Sequence, residues 1–247
     1  MRKILIFAYV GIFFLVTLPL LLLYWLLGLF SVPLRNRLTF ATAQLFFRSV
    51  LTCLGAEVDV QGLEHIPTAG TVLFAGNHKG TLDVVLLLAC LPKPAGFIAK
   101  DNLAKIPILS WWMLGFGCLF LDRNNARRAL TTILRGIENM KKGQSYIIFP
   151  EGTRQVNSNE LLPFKRGSLK LAERSESLIV PFALRGTDEM FEANHYNPRP
   201  GKLYLRFGQP IDMKNLSAEE VKQIHEYVEG KVRDLFAETF TDTEKCQ

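Results

Sequence analysis

The hydrophobic pattern divides the chain into two unlike parts. Residues 4–30, ILIFAYVGIFFLVTLPLLLLYWLLGLF, contain no charged side chain. As one helix this run extends about 40 Å at ~1.5 Å per residue, more than the roughly 30 Å of a bilayer's hydrocarbon core. A signal peptide has a shorter apolar core and a small-residue cleavage site, and neither is evident. Pro19 is placed to kink such a helix, and Tyr24 and Trp25 suit an interface. After Pro33 the pattern changes. Leu38, Ala41, Leu45, Phe46 and Leu51 recur at roughly helical spacing, with Arg35, Arg37 and Arg48 among them. That predicts an interfacial helix beside the first.

From residue 57 strand-like and helix-like patterns alternate. EVDVQG, TVLFAGN, GFIAK, GCLFLD, SYIIFP, SLIVPFAL and KLYLRFG read as strands. Residues 81–91, PILSWWMLG, NARRALTTILRGIENMKKG, GSLKLAERS and residues 217–238 read as helices, the last closing the chain. The alternation predicts an α/β fold with a mixed, largely parallel sheet flanked by helices. Residues 1–56 are expected to be membrane-anchoring helices and residues 57–247 the α/β domain.

Charge sharpens this division. The sequence pI is near 9.2, which invites a nucleic-acid reading until the charge is located. Residues 1–56 hold Arg2, Lys3, Arg35, Arg37 and Arg48 and no Asp or Glu, whereas the formal net charge of the whole chain is +6. The basic excess therefore belongs to the hydrophobic N-terminus, where cations meet anionic headgroups. No nucleic-acid partner is expected. If the first segment spans a bilayer, the arginines after it favour a cytoplasmic catalytic domain at the cell membrane. Cys53, Cys90 and Cys118 sit among apolar neighbours as core residues, and no cysteine spacing suits a metal or a disulfide framework.

In parallel sheets, functional loops follow the carboxyl ends of strands. NHKGTLD, DRNNARR and PEGTRQVNSNELLPFKRG fall in such positions. Within the first, Asp83 can accept the imidazole Nδ1–H of His78 if the histidine lies in the loop and the aspartate in the first helical turn, with Thr81 as a cap. Spacing alone leaves two readings open, a buried structural pair or a base with its orienter. No GxSxG or other obvious nucleophile lies near, so a working pair would activate a substrate hydroxyl or water directly. In FPEGTR, Arg154 can grip a phosphate, with Thr153 and backbone N–H groups as further donors. Arg123 is a second phosphate candidate. Glu151 would repel an anion and is better suited to orienting an arginine or a substrate hydroxyl.

NHKGTLD, GCLFLDR, FPEGTR and VPFAL, in that order and spacing, resemble the four motifs of the glycerolipid acyltransferases, and most closely the 1-acyl-sn-glycerol-3-phosphate branch. KDNLAKIP and FKRG resemble that branch too. The resemblance covers roughly residues 57–210. It implies acylation of the sn-2 hydroxyl of lysophosphatidic acid, giving phosphatidic acid. The acyl thioester is carried on coenzyme A or acyl carrier protein, and no other cofactor and no metal is implied. By resemblance His78 is the base and Asp83 its orienter. Arg123, Glu151, Gly152, Thr153 and Arg154 arrange the glycerol phosphate, Pro181 shapes the acyl-side wall, and Lys100 and Lys105 are either further phosphate contacts or solvated lysines. The bilayer is then a partner that supplies the acceptor. Two departures stand out: Gly80 where serine is common, and Gln155 where serine often follows EGTR. The competing readings are acyl transfer to another lysolipid, such as a lyso-ornithine lipid, and a catalytically silent membrane lipid-binding protein.

Overall fold

A computed structural model describes residues 2–244. The apolar N-terminal run is two helices, α1 (Arg2–Val16) and α2 (Leu18–Gly28), rather than one. They bend by 45° at Thr17, whose hydroxyl donates to the Phe13 carbonyl at 2.6 Å. Pro19 sits in the first turn of α2, where its missing N–H costs nothing. No single described helix is long and apolar enough to cross a membrane, although the bent pair together is. The pair leaves Ile4, Leu15, Leu22, Leu26, Leu29 and Phe30 exposed. Tyr24 is not among them: it is buried, and its hydroxyl pairs with Thr42 at 2.9 Å. Trp25 lies 4.5 Å beneath the Arg35 guanidinium.

Ser31 caps α3 (Val32–Cys53), accepting from the Leu34 N–H. One face of this helix is buried and the other is exposed. Phe40, Ala43, Phe46, Val50 and Leu51 join the core formed with the sheet. Gln44 and Arg48 donate to the carbonyls of Leu91 and Ala89, at 2.7 and 2.8 Å. Those carbonyls lie at the end of α4 (Leu82–Cys90), where the helix supplies no partners of its own. Arg48 is therefore a cap for α4, although the side chain remains exposed at the surface. Residues 1–56 and 57–247 share a single apolar core across the boundary at residue 56. Cys53 is exposed at the end of α3, not in the core.

Seven strands form one sheet: β1 (Ala56–Gln61), β2 (Val72–Gly76), β3 (Ala95–Lys100), β4 (Leu119–Leu121), β5 (Ser145–Ile148), β6 (Leu178–Arg185) and β7 (Gly201–Phe207). Their order is β1-β7-β6-β2-β5-β3-β4. All pairings are parallel except β6 with β7. The sheet is thus mixed and largely parallel, as the alternation predicts. β2 and β5 are buried along their whole length, as central strands covered on both faces must be.

One face carries α3, α4 and α5 (Pro107–Gly115); the other carries α7 (Lys170–Ser175) and α10 (Ile224–Glu244). The alternation of β6 shows the division: Val180, Phe182 and Leu184 join the first core, Ile179 and Ala183 the second. α6 (Ala126–Lys141) packs beside β4 and α7, and α8 (Thr187–Met190) follows β6 directly. The closing helix expected at 217–238 is two, α9 (Ala218–Lys222) and α10. Ser217 and Glu220 form a capping box that starts α9 as a separate turn.

Candidate active site

β2 and β5 are adjacent, so the loops that leave their carboxyl ends meet. Asn77, directly after β2, bridges to β6: its side-chain amide donates to the Leu184 carbonyl and accepts from the Leu184 N–H, at 2.9 and 2.8 Å. The fully buried side chain thus extends the strand pairing by one step and aims the next residue, His78, out of the sheet.

His78 Nδ1 lies 2.7 Å from Asp83 Oδ2. The same oxygen accepts the N–H groups of Lys79 and Gly80, at 2.7 and 2.9 Å, and Oδ1 accepts the Thr187 hydroxyl. Asp83 has no exposed surface, so its charge is carried by these four donors. The imidazole stacks on Phe149, with ring centroids 4.0 Å apart and planes 10° off parallel. The ring is held at Nδ1 and on one face, and Nε2 remains for a ligand. Thr81 does not cap α4 with its side chain. Its N–H and its hydroxyl both donate to Glu192 Oε1, at 2.6 and 2.7 Å.

The FPEGTR loop closes over this pair. Gln155 N–H donates to the His78 carbonyl at 2.8 Å. Gly152 has φ +75°, a backbone conformation that glycine adopts without strain. Its carbonyl accepts from Arg123, which reaches it from the end of β4, beyond β3. His78, Arg123, Gly152, Thr153 and Arg154 all line one cavity of about 900 Å³. Away from this polar end the cavity is apolar, walled by residues such as Phe13, Phe47, Val85, Trp112 and Phe116 from α1, α3, α4 and α5 and the turn after it. An acid–base group thus sits at the junction of a cationic rim and a greasy chamber.

Three expectations are corrected. Glu151, expected to orient an arginine or a substrate hydroxyl, does not line the cavity. It is buried beneath the loop, where Oε1 accepts the His78 N–H at 3.3 Å and Oε2 has no partner. Burial pushes its carboxyl up to about 7, against the lowering effect of the His78 and Leu162 N–H groups, with the Asp83 charge raising it further. Lys105 is exposed at the end of a short 3-10 turn and does not line the cavity, whereas Lys100 does. Pro181 lies between Ile179 and Ala183 and shares their sheet face, packing near Gly208 on the side away from the cavity. It cannot form the acyl-side wall.

Glu151 carries a pH prediction. Its carboxyl titrates higher in the folded chain than in the unfolded one, so folding favours the protonated form. The stability it confers is complete below about pH 4.5 and falls by roughly 3 kcal/mol as the pH rises through about 7. Glu151→Gln should abolish that part of the slope in urea unfolding measured from pH 4 to 8, and an unchanged slope would show that the group does not titrate there.

Asn77, Lys79, Thr187, Asp188 and Glu192 were not singled out in the sequence. Lys79 is buried and pairs with the equally buried Asp188 at 3.3 Å, while its ammonium also donates to the Ser158 carbonyl. Asp188 Oδ2 in turn accepts the Asn157 N–H at 2.9 Å, tying the 150s loop to the end of β6. The strand-end rule that found the other loops applies equally to the TDEMFE stretch after VPFAL.

The comparisons with known proteins identify the class of enzyme as an acyltransferase. The acyltransferase family model matches residues 57–185, and the chain belongs to that family. Among its relatives is the 1-acyl-sn-glycerol-3-phosphate acyltransferase of Saccharomyces cerevisiae, 32% identical over 203 residues, which cover 81% of this chain and 65% of the yeast protein. The enzyme of the same name from Borreliella burgdorferi is 28% identical over 79% of this chain and 78% of its own length. The match thus spans just under two thirds of the yeast relative. The crystal structure of PlsC from Thermotoga maritima, a 1-acyl-sn-glycerophosphate (LPA) acyltransferase, superposes with a TM-score of 0.75 at 29% identity, covering 97% of this chain and 98% of that one.

Proposed function

We propose that this protein transfers an acyl chain from a thioester to the free sn-2 hydroxyl of lysophosphatidic acid, forming phosphatidic acid. The observation that carries the reading is the His78–Asp83 pair at the mouth of an apolar cavity whose rim holds Arg123, Thr153 and Arg154. His78 Nε2 removes the hydroxyl proton as the oxygen attacks the thioester carbonyl. Asp83 fixes the tautomer and stabilises the imidazolium. Collapse of the tetrahedral intermediate breaks the carbon–sulfur bond, and the departing thiolate takes the proton back from His78. Ester and thiol leave, and the enzyme is unchanged.

Arg123 and Arg154 hold the phosphate, with Thr153 as a neutral donor. Acyl chains occupy the apolar chamber. The thioester is carried on coenzyme A or acyl carrier protein, and no metal or further cofactor is called on. The exposed apolar side chains of α1 and α2 seat the molecule on the cell membrane from its cytoplasmic side. From there a lysolipid can reach the cavity without leaving its apolar surroundings completely.

Arg154→Ala and Arg123→Ala are each expected to raise KM for lysophosphatidate by about tenfold or more, since hydrogen bonds to charged groups contribute on the order of 1.5–3 kcal/mol. KM for the thioester should not move. A fall in kcat with KM for the lysolipid unaltered would remove the arginines from phosphate binding.

A further inference from the structure

The glycine at position 80 has no explanation in backbone conformation, since its φ lies outside the left-handed region. Its surroundings supply one. A Cβ built on Gly80 would meet Glu192 Oε2 at 2.5 Å and the carboxyl carbon at 2.9 Å. Glu192 is only 7% exposed, although it lies 111 residues beyond Thr81 in the chain. Its other oxygen takes both donors of Thr81, the residue before α4, and lies 3.8 Å from Arg154 Nη1. Oε2 is buried without a hydrogen-bond partner.

Burying a carboxylate oxygen without a partner is unfavourable, and it persists only where the rest of the group is strongly held. Here the held oxygen fixes the turn that carries His78 and Asp83. The neighbouring residues of the same segment act alike: Thr187 reaches Asp83 and Asp188 reaches Lys79. Side chains of the 187–192 stretch therefore grip three positions of the 79–83 loop.

We infer that Glu192 is a positioning residue for acyl transfer, locking Thr81 and through it the His78–Asp83 geometry, and that residue 80 is glycine because this carboxylate occupies the space of a side chain. The inference rests on the active-site reading above. It differs from that reading in what it requires. With another lysolipid as substrate, Glu192 would still set the loop.

The test is a double-mutant cycle of Gly80→Ala and Glu192→Ala, with Glu192→Gln as the conservative variant. Two quantities are read in parallel: steady-state kinetics, and the His78 Nδ1–H proton resonance in protein with isotope-labelled histidine. Displacement of a catalytic group by about 1 Å costs up to ~10²-fold, so each alanine variant should lose about 10- to 100-fold in kcat with little change in KM for the thioester. Each should also broaden the resonance in protein that remains folded. Glu192→Gln, which still accepts from Thr81, should restore both. In the double variant the added methyl has room, so it should be no worse than Glu192→Ala alone. Wild-type kcat and an intact resonance in Glu192→Ala would overturn the inference, as would losses that multiply in the double variant. If wild-type protein does not acylate lysophosphatidate, the substrate assignment fails, and the resonance cycle still decides the role of Glu192.

Discussion

His78→Ala is expected to lower kcat by about 10²–10⁴-fold, the range general-base assistance contributes, while lysolipid binding is retained. The side chain is 16% exposed, makes one side-chain hydrogen bond and stacks on Phe149. Its loss therefore removes a proton acceptor and one ring contact without emptying the core. Asp83 and its backbone donors stay in place, because Lys79 and Gly80 bind it independently of the imidazole. Binding of a lysolipid to His78→Ala by tryptophan fluorescence, set beside turnover, separates the two effects. Near-normal turnover would rule out the base role.

Asp83→Asn is the second large effect, and it separates charge from structure. The asparagine oxygen can still receive His78 and the two backbone N–H groups, with its amide turned toward the Thr187 hydroxyl. Shape is conserved and the negative charge is lost. Loss of imidazolium stabilisation should lower kcat by about 10²–10⁴-fold, as removal of a triad carboxylate's charge does elsewhere. The melting temperature should shift only modestly. Asp83→Ala is different. It leaves buried N–H donors unsatisfied at about 1–3 kcal/mol each, so it should also destabilise the fold by several kcal/mol. Equal destabilisation by the two variants, with equal activity, would make Asp83 a purely structural residue.

How much of this was legible in the sequence follows from chain distance. His78 and Asp83 are five residues apart, and the turn that joins them is local, so the pairing could be read directly. Arg123 and Arg154 were found because each follows a strand of a parallel sheet, and such strands deliver their ends to one edge. Thr187 and Glu192 meet the same loop across more than 100 residues, and nothing local in the sequence marks those contacts. From the sequence Gly80 suggests a tight turn and a departure from the family pattern; its backbone needs no glycine, and the contact with Glu192 is what leaves no room for a side chain. Pro181 was misplaced by parity: in a strand neighbouring residues face opposite ways, and motif membership does not say which face a residue takes. For α3 the pattern did not show that one face joins the core and that Arg48 satisfies a carbonyl at the end of α4. For Glu151 the charge suggested a ligand role, and only its burial shows that it serves the backbone of the loop.

The central claim is best tested by purified enzyme supplied with lysophosphatidate and an acyl thioester, with lysolipids bearing other head groups in parallel, and with products identified by mass. The account predicts phosphatidate as the main product, formed by wild-type protein and lost in His78→Ala. Preferential acylation of a lysolipid without a free phosphate, or equal phosphatidate from His78→Ala, would contradict it.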